Sequence, residues 1–223
     1  MSRREKYDRI DAVDADLAWS AAQAAYRING GYLKVPKKDG DKIVKPTNRE
    51  IVTIALYDHN LITDTDREQA MKCRNYMAMS ATMSALKDEL NEWGEISAKV
   101  CALDKINSNY DMAVITAMPH SYARSLKREE VDARLARCQP LSAKVGDKVA
   151  ITGEVVRSQY SARYGTWFIA VITADNESVW FGYREGLNLD SRITFRGTVK
   201  RHTDRSTQLN RVKIEGDIEC DHL

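Results

Sequence analysis

Two adjacent aromatic pairs, Trp167-Phe168 and Trp180-Phe181, are the side chains of this sequence best suited to binding a flat partner. Side chains alternate across a strand, so a pair in a β-strand must send one ring to each face. Outward rings stack on nucleobases, while arginine and lysine meet phosphates, which gives affinity with little sequence preference. The stretch from Arg192 to His202 offers such cations. Alternation there sets Ile193, Phe195, Gly197 and Val199 inward and Thr194, Arg196, Thr198, Lys200 and His202 outward. Arg211 and Lys213 share a side of the next segment by the same spacing. An ordinary solvated strand face would carry the same stripe.

Which ring points outward is legible for one pair only. Val179, Phe181 and Tyr183 suit an interior, leaving Trp180 outward beside Gly182. Around the other pair, Trp167/Ile169/Val171 and Phe168/Ala170/Ile172 are equally apolar, and both assignments stay open. Buried aromatics are common, so helices packed over these rings are the rival expectation.

Catalytic chemistry finds little to use. His59, His120 and His202 are isolated, with no serine, cysteine or acid motif around them that signals a triad. Cys220 and His222 offer two metal ligands where a structural zinc site needs four. The expectation is a protein without enzymatic activity, cofactor or metal. The helical methionines Met71, Met77, Met79, Met83, Met112 and Met118 read as core filler.

The elements that must position these residues fall into two parts. Before about residue 140, runs such as DADLAWSAAQAAYRI and DREQAMKCRNYMAMSATMSALKDELNEW are rich in residues that lose little entropy in a helix. Thr47 with Glu50, and Thr65 with Glu68, mark two helix starts as capping boxes. Asn29-Gly30-Gly31 closes the first helix, because glycine accepts the left-handed turn there. A lysine-rich hairpin is expected near 32–45 around Asp39-Gly40, and Pro119 is expected to open a last helix ended by Pro140. From there β-formers take over in five strands, near 148–157, 166–173, 178–183, 192–202 and 208–215, with the spacer EGLNLD before the fourth. The reading is α+β: a mainly helical domain at 1–140, then a five-stranded barrel at 141–223.

At 223 residues the chain suits two ordinary domains. With 43% hydrophobic and 30% charged residues it should fold, and its formal net charge of +2 puts any nucleic-acid affinity down to how charge is placed. Residues 141–214 hold 12 Lys and Arg against 7 Asp and Glu, whereas the final EGDIECDHL has 4 acids and no base. The cysteines (Cys73, Cys101, Cys138, Cys220) form no CxxC pair or disulfide framework and read as reduced thiols. No apolar run approaches the roughly 20 residues that span a bilayer, and the first residues lack a signal-peptide core. The expectation is a cytoplasmic protein with no membrane partner.

The segments VGDKVAITGEVVRSQY and SRITFRGTVKRHTDRSTQLNRVKI resemble OB-fold nucleic-acid-binding domains over about 142–215, the cue being Gly153 and Gly197 inside the first and fourth strands. Glycine there allows the bend by which a strand turns a barrel corner. The resemblance implies binding over the second and third strands and the loops joining strands one to two and four to five. Carried onto this sequence, it implies Trp167, Phe168, Trp180 and Phe181 on the strands, Arg157, Tyr160, Arg163 and Tyr164 in the first loop, and His202, Asp204 and Arg205 in the second. It further implies single-stranded DNA or RNA as partner, in replication, recombination or transcription. Glu215, Asp217, Glu219 and Asp221 resemble a short acidic tail of the kind that recruits protein partners, or else form the polar end of the last strand. The chain as a whole is similar to tailed-phage proteins, which implies a host cytoplasm.

Two alternatives remain. One is an adaptor whose barrel binds protein, its outer face covered by helices or a partner, with the helical domain making protein contacts. The other is remote: Lys37-Lys38-Asp39-Gly40 is similar to the KxDG of ATP-dependent nucleotidyltransferases such as DNA ligases. The roughly 100 helical residues that follow leave no room for the mixed α/β domain such enzymes need.

Overall fold

The computed structural model describes residues 9–219, and side chains over 10–215. Cys220, His222 and Asp221 lie outside the described residues, as do the side chains of Asp217 and Glu219. The chain divides into two compact units, Met1–Leu126 and Lys127–Leu223. The order is helices followed by a closed five-stranded barrel, as the sequence reads.

In the first unit α1 (Ala15–Asn29) is central. Its alanines Ala18, Ala21, Ala22, Ala24 and Ala25 are all buried, and their small side chains let α2 (Asn48–Tyr57) and α3 (Asp64–Leu86) approach closely. Gly30, in the left-handed conformation, ends α1 as expected, its N–H and that of Gly31 returning to Arg27 O and Tyr26 O. The hairpin of β2 (Lys37–Asp39) and β3 (Lys42–Lys45) also forms, with every residue exposed. Buried Asn48 ties the segment after α1 to the start of α2, accepting from Asn29 Nδ2 and Leu33 N and donating to Gly31 O.

Four expectations are corrected here. A short antiparallel ribbon of β1 (Arg9–Asp14) and β4 (Lys105–Ser108) stands where no strand was read; fully buried Ile106, paired with Val13, anchors it. The capping box of α3 is Thr63 with Asp66, two residues ahead of the Thr65/Glu68 pattern. What selects it is tertiary: Asp66 is 2% exposed, accepts from Thr63 N and Oγ1, and takes two N–H bonds from Arg27 at 2.8 and 2.9 Å. Pro119 lies inside α5 (Asn109–Ala136), which is started by Ser108 accepting the Asp111 N–H. Burial of Met112, Ile115 and Met118 carries the helix through a proline that costs about 3 kcal/mol. Finally, Met77, Met112 and Met118 fill core, but Met71, Met79 and Met83 are at least half exposed.

Between α3 and β4 runs α4 (Glu92–Cys101), whose Cys101 meets Cys73 of α3 in the core. Burial pushes the Cys73 thiol up to about 12 and that of Cys101 to about 11, so both stay protonated at neutral pH.

The second unit is the barrel of β5 (Lys148–Ser161), β6 (Thr166–Thr173), β7 (Ser178–Tyr183), β8 (Arg192–His202) and β9 (Thr207–Glu219), closed in the order β5-β6-β7-β9-β8. All pairings are antiparallel except β7 with β9. This closed arrangement is compatible with an OB-type barrel. Its core is Ile151, Val155, Ile169, Val171, Val179, Phe181, Ile193, Phe195, Val199 and Leu209, with Leu187 of the β7–β8 linker also buried there. Gly153 is the pivot of β5, pairing with Thr173 of β6 and Ile193 of β8. A Cβ at Gly153 would stand 2.5 Å from Val171 Cγ1 and 2.6 Å from the Ile172 carbonyl oxygen.

Two stability outcomes follow. Gly153→Ala should cost about 2–4 kcal/mol, since backbone must move to admit the methyl, and a urea titration will show it. Arg27→Met should cost about 1–3 kcal/mol by leaving Asp66 charged and buried. Burial pushes the Asp66 carboxyl up, but the Arg27 and Thr63 hydrogen bonds outweigh it and hold the group below its ordinary value. Its contribution is thus complete above about pH 4 and disappears as pH falls through the lowered value; wild-type and Arg27→Met titrations should converge there.

Candidate nucleic-acid interface

Register fixes what stands on the outer surface of the barrel. Ile169 and Val171 are fully buried inside, so Trp167 shares their face and Phe168, Ala170 and Ile172 point outward. Trp167 therefore closes one end of the barrel, with Gly186 against its ring and Tyr160 at 5.6 Å between centroids. Phe168 is the outward aromatic of β6. On β7 the outcome is as read from the sequence: Val179 and Phe181 are buried, while Trp180 faces out beside exposed Gly182.

Phe168 and Trp180 lie with centroids 6.1 Å apart, and Tyr164, in the β5–β6 turn, meets Phe168 edge-on at 5.8 Å. Two guanidinium groups attend this row, Arg163 at 5.4 Å from the Tyr164 centroid and Arg201 at 5.7 Å from that of Trp180. Arg201 reaches it because pairing on β8 slips between Val199 and Arg201, setting Arg201 opposite Gln208, which in turn neighbours Trp180. A bulge of this kind re-aims a side chain, and plain alternation from the sequence misses it.

Helix covers the aliphatic half of this outer face and leaves the aromatic half partly exposed. Val131, Leu135 and Cys138, in and just after the last turns of α5, pack on Val156, Ala170 and Ile172. Ion pairs flank the contact: Lys127 with Asp190, Arg134 with Glu154 through two hydrogen bonds, and Arg157 with Asp132. The rival expectation of helices over the rings thus describes the aliphatic half, while Phe168 and Trp180 remain partly exposed and Tyr164 is 63% exposed.

The remaining site candidates separate. Arg157 is engaged by Asp132. His202 Nδ1 lies 2.9 Å from Thr207 Oγ1, which also accepts from Leu141 N, so the imidazole braces the β8–β9 hairpin. Arg205, in that turn, lines a groove beside Trp180. Arg196, Lys200, Arg211 and Lys213 are exposed along the β8–β9 ribbon, Arg196 held by Glu215 at 2.6 Å. Arg211 has φ +51° where the pairing of β9 with β8 shifts, three residues from Gln208 and so about 10 Å along the strand. The structure thus brings together Arg163, Tyr164, Phe168, Trp180 and Arg201, with Arg205 at the edge. Phe168 and Arg201 are the members that strand alternation alone does not single out.

Phe168 and Trp180 stand outside the clusters that fill the barrel. The Phe168→Ala/Trp180→Ala double variant should therefore keep a cooperative thermal transition by circular dichroism, at a cost of about 2–5 kcal/mol for the area the rings bury on the outer face. Collapse of the barrel would instead make these rings core.

No family model, curated protein or solved structure matches this chain.

Proposed function

We propose that the barrel binds single-stranded nucleic acid on the outer face of β6 and β7, as an accessory factor in replication, recombination or transcription, without catalysis. The observation that carries this reading is the partly exposed row Tyr164, Phe168, Trp180 with Arg163 and Arg201 over its ends. Rings of this size stack on any base, and each stacked base is worth about 1–3 kcal/mol. The cations at both ends can meet backbone phosphates, and Gly182 leaves the strand surface beside Trp180 free of a side chain. The setting we propose is cytoplasmic.

A second reading, in protein contact, has support in the helical unit. Met79, Met83 and Leu86 are 63%, 50% and 77% exposed at i, i+4 and i+7 on α3, an apolar stripe suited to a partner helix. The two readings use different units and are compatible.

An oligothymidylate of about twelve nucleotides should quench the tryptophan emission of the full chain, with affinity falling steeply as salt rises. The Phe168→Ala/Trp180→Ala variant should bind at least about tenfold more weakly. Absence of binding at low salt overturns the reading.

A further inference from the structure

Beside the open aromatic row lies a groove of about 390 Å³, between the last turns of α5 and strands β6 and β7. One wall is Trp180, the ring that the row shares with Phe168. Leu135, Ala136 and Ala170 are among its apolar sides, and Asp132, Arg157 and Arg205 are its charged groups. The volume lies in the range of small-molecule sites, about 300–1,000 Å³.

We propose that this groove receives a single guanine of the bound strand, with its Watson–Crick edge on Asp132 and Arg157. The inference rests on the single-strand reading above, because the groove opens from the stacking row: a nucleotide next to a base on Trp180 turns into it without leaving the surface. The polar pair chooses the base. Arg157 donates to Asp132 Oδ1 and keeps further N–H donors, and the carboxylate keeps acceptor capacity. Guanine alone offers two adjacent donors, N1–H and the N2 amino group, with O6 next to them as acceptor. Its donors fit the carboxylate while O6 accepts from Arg157. Adenine would aim the N1 lone pair at the carboxylate, cytosine its N3, and thymine a carbonyl on each side of its one N–H. Arg205, at the rim, is placed for the phosphate.

Fluorescence anisotropy with the full chain tests this against the row itself. An oligothymidylate carrying one central guanine should bind about tenfold tighter than oligothymidylate alone, the worth of one bidentate base contact. One adenine should give no such gain, and one hypoxanthine, which keeps N1–H and O6 but lacks the N2 amino group, only part of it. Asp132→Asn should abolish the guanine gain. So should Ala136→Trp, which fills the groove from an exposed helix position and should leave oligothymidylate binding unchanged. Equal affinity for the guanine-bearing and plain strands, or a gain that survives Ala136→Trp, overturns the groove assignment and leaves the stacking row standing. Failure of every oligonucleotide to bind overturns the row and the groove with it.

Discussion

At Gly153 the backbone of β5 lies against Val171 and the Ile172 carbonyl so closely that no side chain fits between them. That approach lets one strand serve two neighbours, β8 along its first half and β6 along its second, and so lets five short strands close on themselves. Closure has two effects. It removes the exposed sheet edges that invite aggregation, and it forces every strand to divide its side chains strictly between a filled interior and an outer face. The interior is filled by aliphatic residues and by Phe181 and Phe195, so the second aromatic of each adjacent pair must be accommodated outside.

The outer face is then shared between two solutions to the same problem. Where the outward residues are aliphatic, at Val156, Ala170 and Ile172, the last turns of α5 cover them and ion pairs hold the helix in place. Where they are aromatic, arginines cover them only partly. Covering these aliphatic side chains removes apolar area from water, whereas a ring beneath a guanidinium keeps a face for exchange with another planar group.

Strand order, the inward set of β7 and β8, and the glycines of the barrel were legible because period-two patterning and turn residues are local signals. Strand two was not, because both of its faces are apolar: Ile172 and Ala170 serve the helix contact as Ile169 and Val171 serve the core, and the sequence carries no mark of which is which. Of the two helix starts, Thr47 with Glu50 caps α2 as read, and the other failed for a related reason. Thr63/Asp66 and Thr65/Glu68 are equivalent locally, and only Arg27, 39 positions before Asp66, decides between them. Pro119 misled because a local preference of about 3 kcal/mol is smaller than the burial of the three large side chains Met112, Ile115 and Met118 just before it. Within the candidate site, Trp180 was readable from alternation, whereas Arg201 was not, since a single slip of register on β8 brings it to the ring.

The parallel pairing of β7 with β9 consists of two residue pairs, Val179 with Thr207 and Trp180 with Gln208. Every other junction of the barrel runs for six pairs or more, so this short seam is where the cylinder is least tied. Trp180 sits on it, and Arg201 reaches across from β8 to the same ring. Anything bound over Trp180 and Arg201 therefore spans the junction like a splint. A ligand on that face would slow opening of the barrel there, and the slowing of amide exchange at Val179, Trp180 and Gln208 would measure that coupling directly.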